Sequence, residues 1–206
     1  GRGEEELAKA RAVLADLFES PTSEASRRRR IALIGLRGAG KSTLGRLVSA
    51  HWNVPFIELS GVIEQMAGCS IAEIHALYGQ TAYRRYEQRA LEDVIQHHAQ
   101  AVIATPGGIV SEPATFNFLL SHCYTVWLRA TPDQHMARVL AQGDSRPMSG
   151  NREAMEDLKR ILDSRAQFYT KADCIFDTGS GSVQAGLAAL LGQLDGATGL
   201  GQKHAA

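Results

Sequence analysis

The stretch Gly35-Leu36-Arg37-Gly38-Ala39-Gly40-Lys41-Ser42-Thr43 carries the most specific chemistry in this chain. It satisfies G-x-x-x-x-G-K-[ST], a spacing that suits the capture of phosphate. Gly35, Gly38 and Gly40 let the backbone curl so that several N–H groups face one anion. A helix starting directly after them adds a favourable field for negative charge. Lys41 is placed to reach terminal phosphate oxygens, and Ser42 to hold Mg²⁺ if a metal-nucleotide binds. The seven His include the pair His97-His98 but no H-x₃-H or H-E-x-x-H spacing, so no His metal site is expected. Cys69, Cys123 and Cys174 lie far apart, are odd in number and lack metal spacing. They read as reduced, mostly buried thiols of a cytoplasmic protein.

A phosphate loop needs a strand before it and a helix after it. Ile31–Ile34 is an apolar run that reads as a buried strand, and Thr43–His51 reads as a helix. Strands are then expected at Pro55–Leu59, Ala101–Thr105, Tyr124–Leu128 and Cys174–Phe176. Helices are expected at Ser60–Ala67, from the capping box at Ser70–Glu73, and at Gln80–His98. Further helices follow from Glu112-Pro113, from Thr131-Pro132-Asp133 to about Ala141, over Glu153–Tyr169 and over Ser182–Leu194. About five strands alternating with helices predict an α/β fold, a parallel sheet covered on both faces. Before the sheet, Glu4–Phe18 has an apolar stripe at Leu7, Ala10, Leu14 and Leu17. A flexible linker follows to Ser26, and the basic run Arg27–Arg30 reads as a solvated linker end, with a phosphate or partner contact as the alternative.

A chain of 206 residues, 44% hydrophobic, fits one globular domain plus extensions. Lys+Arg and Asp+Glu both number 22, so this segment has no overall field to attract nucleic acid. No apolar run approaches the ~18 residues of a membrane span, so no membrane partner is expected. The chain opens on Gly1, not Met, and reads as a fragment or processed piece.

From Ile31 to about Leu190 the chain resembles shikimate kinase, a small member of the nucleoside monophosphate kinase-like P-loop fold. The loop GLRGAGKSTLG carries the resemblance, together with Gly68-Cys69-Ser70-Ile71-Ala72-Glu73-Ile74, the segment Gly79–Glu87, the turn Pro106-Gly107-Gly108, Arg146-Pro147, and Arg165 with Tyr169. The resemblance implies a three-layer P-loop fold with a five-stranded parallel sheet. It implies that Arg84, Arg165 and the Gly107-Gly108 backbone line an acceptor pocket, that Arg146 reaches phosphates from a lid, and that Arg138 lies near the nucleotide base. A helix-surface ion pair is the plainer reading of Arg84, through Glu87 or Gln88, and of Arg165, through Asp163. Two positions depart from the family. Its Asp-x-Asp is here Glu58-Leu59-Ser60, which leaves Glu58 to help position Mg²⁺ and puts a hydroxyl, Ser60, where a carboxylate takes the acceptor's proton. Losing a positioned base costs ~10²–10⁴ in rate. The first glycine of its triple-glycine turn is Pro106, which fixes φ and removes an N–H.

A closer resemblance absorbs these departures. The run His135–Met148 with Gly150–Leu158 is similar to the effector domain of benzoyl-CoA-responsive helix-turn-helix repressors of benzoate catabolism (BzdR/BoxR type). That resemblance implies a ligand-sensing domain of a transcriptional regulator, with no catalytic residue and no required cofactor. Residues 1–26 would be the linker to a DNA-binding domain absent from this chain, 27–194 the effector-binding domain, and 195–206 a disordered tail. The implied effector is benzoyl-CoA. Gly35, Gly38, Gly40, Lys41, Ser42 and Thr43 would cradle its pyrophosphate, Arg138 its adenosine and Arg146 its phosphates. The aryl end would enter the former acceptor pocket, where Ser60 and Pro106 tolerate an apolar group, with Glu58, Gly107 and Gly108 as further effector-binding residues and Arg84 or Arg165 on the thioester carbonyl. The Leu7–Leu17 stripe is a candidate homodimer contact. The alternative is an active shikimate kinase or related small-molecule kinase using ATP and Mg²⁺, for which the intact loop and Arg146 speak.

Overall fold

A computed structural model describes residues 3, 6–7, 23–141, 151–179, 181–198 and 200. Five strands form one parallel sheet in the order β2-β3-β1-β4-β5: β1 (Arg30–Ile34), β2 (Phe56–Glu58), β3 (Ala101–Ala104), β4 (Tyr124–Arg129) and β5 (Cys174–Asp177). The α/β architecture expected from the alternating pattern is therefore present. Ile31 stands beside Val102 on one side and Tyr124 on the other, so β1 is central. Its neighbours are reached in both directions, which opens a crevice beyond the carboxyl ends of the strands.

Alternation along the strands divides the core into two layers. Ala32 and Ile34 of β1, Ala101 and Ile103 of β3 and Trp127 of β4 face one layer. Ile31, Leu33, Val102, Val126 and Leu128 face the other. The helices α2 (Lys41–Trp52) and α8 (Val183–Leu194) close the second layer, while α3 (Leu59–Ala67), α4 (Ile71–His97), α5 (Pro113–His122) and α7 (Asn151–Tyr169) close the first; α6 (Pro132–Ala141) lies between β4 and α7 in the chain. A one-turn 3₁₀ helix, Ile109–Ser111, was not anticipated by the sequence pattern.

Caps set several helix starts. Ser70 accepts from Glu73 N at 3.2 Å while Glu73 accepts from Ser70 N at 2.8 Å. Thr131 and Gln134 make the same reciprocal pair ahead of α6, and Ser182 caps α8. The two helices expected around residue 79 run on as one element broken at Gly79, whose φ of 78° and ψ of 176° are not helical.

The basic run Arg27–Arg30 is not a solvated linker end. Ser23 caps a short helix, α1 (Glu24–Arg28), which packs before β1. The Arg27 guanidinium donates to Leu120 O, Cys123 O and the Asp173 carboxylate at 2.9–3.1 Å. Arg30 is 3% exposed and donates to His122 O at 3.0 Å. These arginines tie the segment before β1 to the end of α5 and the starts of β4 and β5. Packing also continues past Asp195, where composition suggested a disordered tail: Thr198 and Leu200 are buried, Leu200 in the layer formed by Leu190 and Leu194. Apart from Glu6 and Leu7, the Glu4–Phe18 helix expectation lies outside the described residues, as does the first half of the linker after it, residues 19–22. Among the described residues, no helix is long and apolar enough to cross a membrane.

Candidate active site

The phosphate loop joins β1 to α2 at the carboxyl edge of the sheet. Gly35 has φ 141°, and a Cβ there would meet Leu128 O at 2.6 Å, so no other residue fits. Gly38 and Gly40 also hold positive φ, 80° and 95°. Gly40 caps α2 without any side-chain bond to the helix's first turn, which leaves N–H groups there for a ligand. Lys41 Nζ donates to Gly35 O at 2.7 Å and Leu36 O at 2.9 Å. Part of the side chain meets solvent, but the ammonium is enclosed among these carbonyls. Burial pulls its pKa down to about 8; the Glu58 carboxylate works against the shift and the Arg165 charge adds to it.

Arg37, Gly38, Gly40, Lys41, Ser42 and Thr43 line one end of a cavity of about 790 Å³. Glu58, at the end of β2, and Ser60, in the first turn of α3, line its floor. Arg84, Thr105, Pro106, Gly107 and Gly108 line the far side. The structure thus gathers most of the candidate residues into one chamber. Arg84 Nη1 donates to Glu87 Oε1 at 2.7 Å and to Gly108 O at 3.0 Å. The ion pair and the pocket reading of Arg84 therefore hold together. Arg165 Nη1 instead reaches Gly107 O at 3.2 Å, beside the Tyr169 hydroxyl, which donates to the same carbonyl at 2.8 Å. Burial raises the Tyr169 pKa to about 12, so this hydroxyl is a permanent donor. A Cβ on Gly108 would come within 3.1 Å of Arg84 Nη2, so glycine is what permits this approach.

Arg138 lies away from that chamber. It donates to Gly38 O at 3.3 Å, Thr178 Oγ1 at 2.9 Å, Thr178 O at 3.0 Å and Gly179 O at 3.1 Å. With Gly38, Gly40, Thr43 and Phe176 it lines a second cavity of about 340 Å³ behind the loop. Arg146 lies outside the described residues. Sequence reasoning passed over Glu87 as a site residue. It is fully buried, accepting from both Arg84 and the Tyr83 hydroxyl. The signal was present in the i,i+3 and i,i+4 spacing of Arg84 and Tyr83 to Glu87. Glu64, Ser70, Ile71, His75 and Tyr83, which complete the chamber wall on α3 and α4, were also passed over as site residues. No group of three or more His, Cys, Asp or Glu side chains that could hold a metal occurs among the described residues.

A family model described as shikimate kinase matches residues 37–194. A shikimate kinase of Synechococcus sp. (strain JA-3-3Ab) is 37% identical over 143 residues, 69% of this chain and 75% of that protein. A shikimate kinase of Zymomonas mobilis is 34% identical over 164 residues, 80% of this chain and 91% of that protein. The crystal structure of shikimate kinase from Bacteroides thetaiotaomicron superposes with TM-score 0.73 at 31% identity, over 81% of this chain and 98% of that one.

These matches overturn the regulator reading. The run His135–Leu158 that carried it falls inside the span matched to shikimate kinase. The described part of that run is also accounted for structurally, with His135 and Arg138 bonded to the phosphate loop. The repressor assignment, benzoyl-CoA as effector and DNA as a partner through an absent domain all lose their support, and so does the leaning against turnover drawn from Ser60 and Pro106. The chain belongs to the shikimate kinase family.

Proposed function

We propose that this protein is an ATP-dependent phosphotransferase of the shikimate kinase type, moving the γ-phosphoryl group of ATP to a hydroxyl of a small hydroxylated acid. One observation carries the reading: the phosphate loop with Lys41 shares a single chamber with Glu58, Ser60, Arg84 and the Gly107–Gly108 backbone. Donor and acceptor can therefore meet in one enclosed volume.

The residues fit Mg-ATP. Glycines stand where a Cβ would clash or φ is positive, no side chain caps the α2 N-terminus, and the Lys41 ammonium donates to two carbonyls that it can exchange for phosphate oxygens. Ser42 and Glu58 would hold Mg²⁺, which when bound supplies charge neutralisation at the phosphoryl oxygens. Loop N–H groups bind and orient the phosphates. Arg84, held rigid by Glu87, and Arg165, held at Gly107 O, would orient an acceptor carboxylate through paired charge-assisted bonds. Ser60 would align the acceptor hydroxyl. Phosphoryl transfer has a loose transition state, so alignment and electrostatics supply most of the catalysis and the absence of a carboxylate at Ser60 slows the reaction without abolishing it.

The test is ADP formation in a coupled assay with shikimate as acceptor. The reading expects ADP release that requires both substrates, and an acceptor KM raised about tenfold or more in Arg84→Lys with little change in the KM for ATP. Acceptor-independent ADP release, or none, refutes it.

A further inference from the structure

Five consecutive loop carbonyls each accept a hydrogen bond from a side chain. Lys41 holds those of Gly35 and Leu36, His135 Nδ1 lies 3.1 Å from Arg37 O, and Arg138 reaches Gly38 O at 3.3 Å and Ala39 O at 3.5 Å. The Lys41 bonds must open when the ammonium turns to phosphate. The other three come from α6, one helical turn apart, and need not change. His135 is 1% exposed. A carbonyl can only accept, so Nδ1 carries a proton; burial, with the nearby Lys41 and Arg138 charges, lowers the imidazole's pKa.

A planar trans peptide points its C=O and the following N–H in opposite directions. Fixing Arg37 O toward α6 therefore fixes the Gly38 N–H away from α6, and Gly38 lines the chamber. Ala39, whose N–H bonds Leu36 O within the loop, does not line it. A Cβ on Gly38 would sit 3.2 Å from His135 O, so the loop is pressed against α6 at this point.

We infer that His135 is a positioning residue for phosphate binding: its Nδ1–H pins the Arg37 carbonyl so that the Gly38 N–H stays aimed at the anion after Lys41 leaves the loop. The inference rests on the kinase reading for the identity of the anion as ATP.

The test compares wild type with His135→Asn, which keeps a donor near the Nδ1 position, and His135→Leu, which removes it. His135→Met repeats the apolar arm with a more compliant side chain should His135→Leu not fold. ATP affinity is measured by calorimetry, and exchange of the Ala39 amide by NMR or mass spectrometry. The expected result is a loss of affinity of roughly 5- to 30-fold and faster Ala39 exchange in the apolar variants, with His135→Asn within about threefold of wild type. Equal behaviour of the Asn and apolar variants overturns the inference, because packing alone would then account for His135. If wild type binds no ATP, the kinase reading fails separately. The exchange comparison still decides the role of His135: faster exchange in the apolar variants alone supports it, and no difference overturns it.

Discussion

Under the kinase reading, Lys41 makes the binding of ATP depend on pH in a direction set by the burial of its ammonium. In the free protein its pKa is lowered to about 8 from the ordinary 10.5, chiefly by burial. Bound phosphates supply the negative charge that burial withholds, so the pKa of the complex returns toward the ordinary value. The complex then holds more protons than the free protein between about pH 8 and 10.5, and binding takes up a proton and weakens as pH rises. The protonated fraction of free Lys41 falls from ~90% at pH 7 to ~10% at pH 9, which lowers the association constant roughly tenfold, or ~1.4 kcal/mol. Calorimetry in two buffers of different ionisation heat measures both quantities. Proton uptake at pH 9 and a tenfold weaker association are expected, and both should vanish in Lys41→Met, whose affinity is low throughout. Flat affinity between pH 7 and 9 without proton uptake refutes the reasoning. The same group affects stability in the opposite sense. The unfolded chain binds the extra proton in that window, so the ligand-free protein gains stability as pH rises through it, a trend Lys41→Met should lack in melts at pH 7 to 10.

Ser60→Asp restores a carboxylate at the acceptor and should raise kcat with shikimate by about tenfold or more, read in the coupled assay; an unchanged kcat would mean that no base is needed there. Glu87→Ala leaves the Arg84 guanidinium without its carboxylate and the Tyr83 hydroxyl without its acceptor, so denaturant melts should show a loss of roughly 3 kcal/mol and the acceptor KM should rise. Arg27→Ala removes the bonds to Leu120 O, Cys123 O and Asp173 and should cost about 1–3 kcal/mol without changing either KM, since α1 lies away from the chamber.

What was legible in the sequence was local. The phosphate loop is contiguous, and its glycine demands are properties of a few φ angles, so the pattern alone located it. Strand positions followed from short apolar runs. The starts of α4, α6 and α8 followed from Ser70, Thr131 and Ser182, because a cap acts within three residues. The basic run before β1 was misread because its partners are distant in sequence: Arg27 meets Asp173 and Arg30 meets His122, neither of which a spacing rule reports. Glu87 was overlooked as a site residue for the complementary reason: a charged residue in a charge-rich helix looks exposed until the fold buries it. The functional error came from weighing two substitutions, Ser60 and Pro106, above the rest of the chamber. A hydroxyl for a carboxylate reads as lost chemistry when base catalysis is taken as essential, whereas phosphoryl transfer leans on the positioning groups that this chain retains.

The account stands or falls on whether ATP and an acceptor react in the chamber. Phosphorus NMR of the purified protein with Mg-ATP and shikimate follows both products at once. The account predicts a phosphate monoester signal growing in step with ADP, absent without shikimate and absent in Lys41→Met. ATP that is bound but unconsumed, or ADP appearing with free phosphate and no ester, would contradict it.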